Sequence, residues 1–103
     1  MVARIAINHA QVAGFCERWR IAEISLFGSV LRDDFNPESD IDVLVDFPAD
    51  ASWSLLDLVR MEDDLATVFG RPVHLVTRRA VERSSNWIRR RAILESAERL
   101  HVA

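Results

Sequence analysis

The chain has 103 residues, 13 basic residues that are all arginine, 16 carboxylates and a formal charge of −3. Half of the residues are apolar and 28% are charged, which excludes a disordered chain and fits a single domain over residues 1–103 that buries roughly 65% of its unfolded surface. The mild acidity speaks against a broad nucleic-acid-binding face, and the one cysteine excludes an intrachain disulfide and fits a reducing, cytoplasmic setting.

The first residues, MVARIAINHAQ, contain no long apolar segment, so no signal peptide is expected, and no apolar run approaches the ~18 residues of a membrane span. Residues 9–20 predict a helix, capped by Asn8 with Gln11 as its reciprocal partner. Val12, Phe15, Cys16 and Trp19 recur at helical spacing and face the core. Cys16 reads as a buried structural thiol. Ile21 to Phe27 predicts a short buried strand that ends at Gly28. Residues 29–33 predict the start of a brief helix, and Asn36-Pro37 marks 34–39 as a turn. Residues 40–47 alternate as a strand, with Ile41, Val43 and Val45 on one face and Asp40, Asp42 and Leu44 on the other.

Residues 55–69 carry the clearest helical pattern. Ser54 caps it with Asp57 as the reciprocal acid, Gly70 stops it and Pro72 follows. Its main stripe runs through Leu55, Leu58, Val59, Glu62, Leu65, Ala66 and Phe69. Glu62, Asp63 and Asp64 read as a solvated face. Trp53 reads as a packing residue at the helix entry. Residues 72–76 predict another strand. Thr77 or Ser84–Ser85 caps a last helix reaching about residue 99, whose arginines read as a solvated face paired with Glu82, Glu95 and Glu98, or else as a contact for an acidic partner or RNA. Strands alternating with helices imply a small α/β (α+β) sheet flanked by helices. The strand pair joined through helix 55–69 is expected to be parallel.

The chemistry concentrates in LFGSVLRDDFNPESDIDVLV, residues 26–45. Glycine lets a ligand approach the backbone closely, and N–H groups at a helix start favour phosphate oxygens. Ser29 adds a hydroxyl. Asp40 and Asp42 point to one face of a strand, where they repel unless a cation lies between them. Hard cations such as Mg²⁺ take oxygen ligands and bridge carboxylates to phosphates. A solvated strand end with two surface acids is the other reading of Asp40-Ile41-Asp42.

Taken together, Gly28-Ser29, Arg32 and Ser39-Asp40-Ile41-Asp42-x-Leu44-Val45 resemble the minimal nucleotidyltransferases of the DNA polymerase beta-like superfamily. The resemblance in layout extends over nearly the whole chain. It implies a small mixed β-sheet with flanking helices and transfer of a nucleoside monophosphate, most often AMP from ATP, to a hydroxyl. In it, Gly28 and Ser29 hold the triphosphate of the NTP and Ser39 belongs to the same nucleotide-binding motif. Arg32 steadies the loop or contacts phosphate, or else pairs with Asp33, Asp34 or Glu38. Asp40 and Asp42 bind metal, Mg²⁺ or Mn²⁺. Members of the family are often paired, as antitoxin, with a small helical HEPN protein and place AMP on its tyrosine hydroxyl. This chain has no tyrosine, so it is not itself a target of that kind. A dimer or a heteromeric complex is open.

One position departs from the pattern. The family sets a third carboxylate in a Val-Asp-Leu-Val strand, and this chain has Val73-His74-Leu75-Val76. Imidazole is a poor Mg²⁺ ligand, yet neutral His74 is a competent general base. Two functions follow: a metal-dependent protein nucleotidyltransferase that uses His74, or a degenerate module that neutralises or scaffolds a partner by binding.

Overall fold

The computed structural model describes residues 7–28 and 40–102. The brief helix expected at 29–33 and the turn at 34–39 lie outside the described residues. The elements in chain order are α1 (His9–Arg18), β1 (Glu23–Phe27), β2 (Ile41–Asp46), α2 (Leu55–Phe69), β3 (Val73–Thr77), α3 (Arg78–Glu82), α4 (Trp87–Ser96) and β4 (Glu98–Val102). The four strands form one mixed sheet in the order β3-β2-β1-β4. β1 pairs antiparallel with β2 and with β4, whereas β2 and β3 run parallel, as their helical connection predicts.

Period-two alternation divides the sheet into two faces. Ile24 and Leu26 of β1, Ile41, Val43 and Val45 of β2 and Val73 of β3 turn one way and pack with Val12, Phe15 and Cys16 of α1 and Met61 and Leu65 of α2. Phe27 and Leu44 turn the other way and pack with Val81 of α3 and Ile93 of α4. The sheet is therefore covered by helices on both faces, and the smaller cluster lies on the same face as Asp42.

The caps follow the sequence closely. Asn8 accepts from the Gln11 N–H at 3.1 Å. At α2, Ser54 and Asp57 form both halves of a capping box, and Gly70 closes the helix in the left-handed conformation at φ 72°. Trp53 packs at the entry of α2, edge-on to Trp19 with ring centroids 5.4 Å apart.

Four expectations need correction. α1 stops at Arg18 and β1 starts only at Glu23, because Arg20 takes φ 53° and reverses the chain between them. The stripe of α2 holds at Leu58, Leu65, Ala66 and Phe69, which pack into the core, but Met61 is fully buried too, whereas Leu55 and Val59 are 79% and 49% exposed. The last helix is two helices and a strand. Thr77 caps α3, Asn86 rather than Ser84 or Ser85 caps α4, and Ala97 turns extended at ψ 132° to start β4 against β1. Finally, Glu62 and Asp64 are not a solvated face. Asp64 accepts from Trp19 Nε1 at 2.9 Å and from Arg18 at 3.0 Å, clamping α1 to α2. Glu62 accepts from the Leu75 backbone at 2.9 Å.

Candidate active site

The candidate residues meet where β1 ends and β2 and β3 begin. β1 and β2 place Phe27 opposite Asp42, and β2 and β3 place Asp42 opposite His74. Directly paired residues share a face. One transverse row therefore carries Phe27, Asp42 and His74, with Phe27 buried beneath the row's inner end and His74 at the open edge.

Gly28 follows Phe27 with φ 75°, a conformation that L side chains rarely adopt. A Cβ there would overlap the Asp42 carboxylate. The residue thus answers two demands, a turn out of β1 and a close approach to Asp42, and only glycine meets both. Asp42 is 26% exposed, so its carboxylate is largely walled in by protein yet reachable from outside. His74 Nδ1 stands 3.6 Å from Asp42 Oδ1 with the imidazole 56% exposed. That separation is within ion-pair reach and longer than a hydrogen bond. Asp40 is exposed just before β2. Gly28, Asp42 and His74 are thus brought together from three separate strands or strand ends. Ser29, Arg32 and Ser39 lie outside the described residues.

Among the described residues, no group of three or more His, Cys, Asp or Glu side chains is arranged to hold a metal ion. Asp40, just before β2, and Asp42, on it, nevertheless supply hard oxygen donors two residues apart, and Gly28 packs against Asp42. Such a pair of oxygen donors is of the kind that would suit one Mg²⁺. The third side chain of the row is a nitrogen donor, which Mg²⁺ disfavours and Mn²⁺ tolerates better.

Other features sit away from this row. A groove of about 460 Å³ lined by Phe47, Trp53, Leu58 and Arg78 opens at the opposite end of β2 and β3. Asp46 lines it too and lies about 13 Å along the strand from Asp42, so it takes no part in the row. Of the basic residues near the C-terminus, Arg91 pairs with Glu95 at 3.0 Å and Arg78 with Glu82 at 3.6 Å, as expected of a solvated face. Arg90 instead donates to the Ser84 carbonyl at 3.0 Å, and Arg99 pairs with Glu23 at 3.2 Å. Cys16 is buried, as read, and burial pushes its thiol up to about 11. Among the described residues, no helix is long and apolar enough to cross a membrane.

A family model for the nucleotidyltransferase domain matches residues 11–100. Over 66 residues the chain is 36% identical to protein adenylyltransferase MntA of Thermococcus cleftensis, which covers 64% of this chain and 65% of that protein. The match thus spans just under two thirds of that relative's length. Among solved structures, a chain of a toxin–antitoxin complex with AMP-PNP superposes with a TM-score of 0.70 at 19% identity, covering 94% of this chain and 75% of that one. A chain of the complex between tri-AMPylated Shewanella oneidensis HEPN toxin and MNT antitoxin gives a TM-score of 0.61 at 18% identity, covering 92% and 70%. At these identities both structures share the fold.

Proposed function

The chain belongs to the nucleotidyltransferase domain family, and from that premise we propose that it transfers AMP from ATP to a hydroxyl of a partner protein, as the antitoxin of a HEPN toxin. The observation that carries the proposal is Gly28 at positive φ against the Asp42 carboxylate, with His74 facing that carboxylate across the sheet. The adenylyltransferase name of the MntA relative and the AMP-bearing HEPN toxin in the Shewanella oneidensis complex support the choice of AMP and of partner.

The roles follow from position. Without a Cβ at Gly28 the Asp42 carboxylate sits against the end of β1, and Ser29 would add a hydroxyl donor to the triphosphate. Asp40 and Asp42 would hold Mg²⁺, which when bound neutralises phosphate charge and orients the α-phosphate. The acceptor hydroxyl oxygen forms its bond to the α-phosphorus as the bond to pyrophosphate breaks. His74, exposed and 3.6 Å from Asp42, takes the hydroxyl proton.

His74 also favours a second reading. An imidazole in place of a third carboxylate weakens any site for two Mg²⁺ ions, and a module that binds nucleotide without efficient chemistry would neutralise its partner by contact. Label transfer from α-phosphate-labelled ATP separates the two. The acceptor is the purified protein encoded by the adjacent gene, with Mg²⁺ or Mn²⁺. The transferase reading expects labelled acceptor with wild type and none with a folded Asp42→Asn variant. No label with wild type, but label with His74→Asp, would establish a decayed site and assign the function to binding.

A further inference from the structure

We propose that Glu62 is a positioning residue that holds His74 in register with Asp42. The proposal rests on the transferase reading for its kinetic consequence only. Among the described residues β3 is an edge strand, paired with β2 on one side and with no strand on the other. In a parallel ladder alternate N–H groups point away from the partner strand, where nothing in the sheet meets them. The Leu75 N–H is not left open. It donates to Glu62 Oε2 at 2.9 Å in a part-buried bond that spans 13 residues of sequence.

The position of this bond gives it its importance. Leu75 follows His74, the one site residue carried by the open edge. His74 gains no fixed hydrogen bond from Asp42, since the two side chains stand 3.6 Å apart and the imidazole is 56% exposed. Its placement therefore depends on its backbone. The β2 ladder holds that backbone from one side, and the Glu62 carboxylate holds it from the other. α2 is itself fixed by Met61, fully buried beside Glu62, and by the Asp64 bonds to Trp19 and Arg18. The tether thus refers the edge of the site to the larger core. Misplacement of a reacting group by about 1 Å costs up to about 100-fold in rate, so a strand edge that shifts by that amount matters.

The test compares Glu62→Ala, Glu62→Gln and Glu62→Asp with wild type. Glutamine keeps an acceptor at the same reach, and aspartate withdraws it by one methylene. Three quantities are read: hydrogen exchange of the Leu75 amide, the ring resonances of His74 by NMR, and kcat and KM for ATP in AMP transfer. Glu62→Ala is expected to lose Leu75 protection, shift the His74 ring signals and lower kcat by about 10- to 100-fold, with KM little changed. Glu62→Gln restores all three. Glu62→Asp reports the same loss if the alanine variant fails to fold. Loss of Leu75 protection with His74 signals and kcat unchanged would overturn the proposal and leave Glu62 a cap on the strand edge. If wild type transfers no AMP, the transferase reading fails by itself, and the His74 ring signals still decide the role of Glu62.

Discussion

Gly28 links the local backbone to the chemistry most directly. Its φ of 75° and the space its missing Cβ leaves for Asp42 make two separate demands. Gly28→Ala should therefore destabilise the fold by about 1–3 kcal/mol, as left-handed strain at a site does, and should also weaken nucleotide binding. Chemical denaturation and nucleotide titration on the same variant measure both. Cys16 makes the opposite case, a reactive group silenced by burial. Its thiol is raised from 9.0 to about 11, so the folded state favours the neutral form. Its stabilising contribution is complete below pH 9.0 and is lost as pH rises toward about 11. The loss amounts to about 2–3 kcal/mol, and denaturation midpoints in wild type and Cys16→Ala between pH 8 and 11 would show it as a difference in slope. At this scale the sequence was legible where a residue type has one use. Gly28, Cys16, Ser54 and Gly70 behave as their chemistry suggests. Glu62 and Asp64 were not legible, because an acid on an amphipathic helix reads the same whether it meets water or a neighbouring element's N–H.

Among the elements, α2 is the most informative. Its pattern admits two stripes one residue apart, because Leu55, Leu56, Leu58, Val59 and Met61 crowd its first half. Periodicity alone favours the stripe with Leu55 and Val59. In the fold Met61 enters the core beside Leu65, and Leu55 and Val59 stay exposed. Met61→Ala should accordingly cost about 2–5 kcal/mol, and Leu55→Ala should stay within about 0.5 kcal/mol. Equal costs in a thermal melt would contradict the assigned face. The clamp between helices is a second element-scale device. Burial pushes the Asp64 carboxyl up, but bonds from Trp19 and Arg18 outweigh it and hold the group below the ordinary carboxylate value of 3.8. The clamp's contribution is therefore present above that value and is lost as pH falls below it. Asp64→Ala should remove about 1–2 kcal/mol, a hydrogen-bonded charge discounted for its partial exposure. Wild type and variant should converge in stability at acid pH.

For the whole molecule, topology assembles the site. Three strands bring Phe27, Asp42 and His74 into one row, with Gly28 at the end of β1 beside Asp42. The parallel pairing of β2 and β3 was legible from the helix between them, and so was the motif. β4 was not. ERLHV follows a helix without a glycine or proline to end it, and its reason to be a strand is the edge of β1, whose Leu26 pairs with Glu98 far along the chain. Non-local pairing of this kind leaves little local trace. The chain's central claim to function is that the row around Asp42 holds nucleotide together with Mg²⁺, and calorimetric titration with a non-hydrolysable ATP analogue tests it most directly. Wild type is predicted to bind one equivalent more tightly with Mg²⁺ than without, and a folded Asp42→Asn variant to lose most of that Mg²⁺-dependent gain. Identical titrations for the two proteins in the presence of Mg²⁺ would contradict the account.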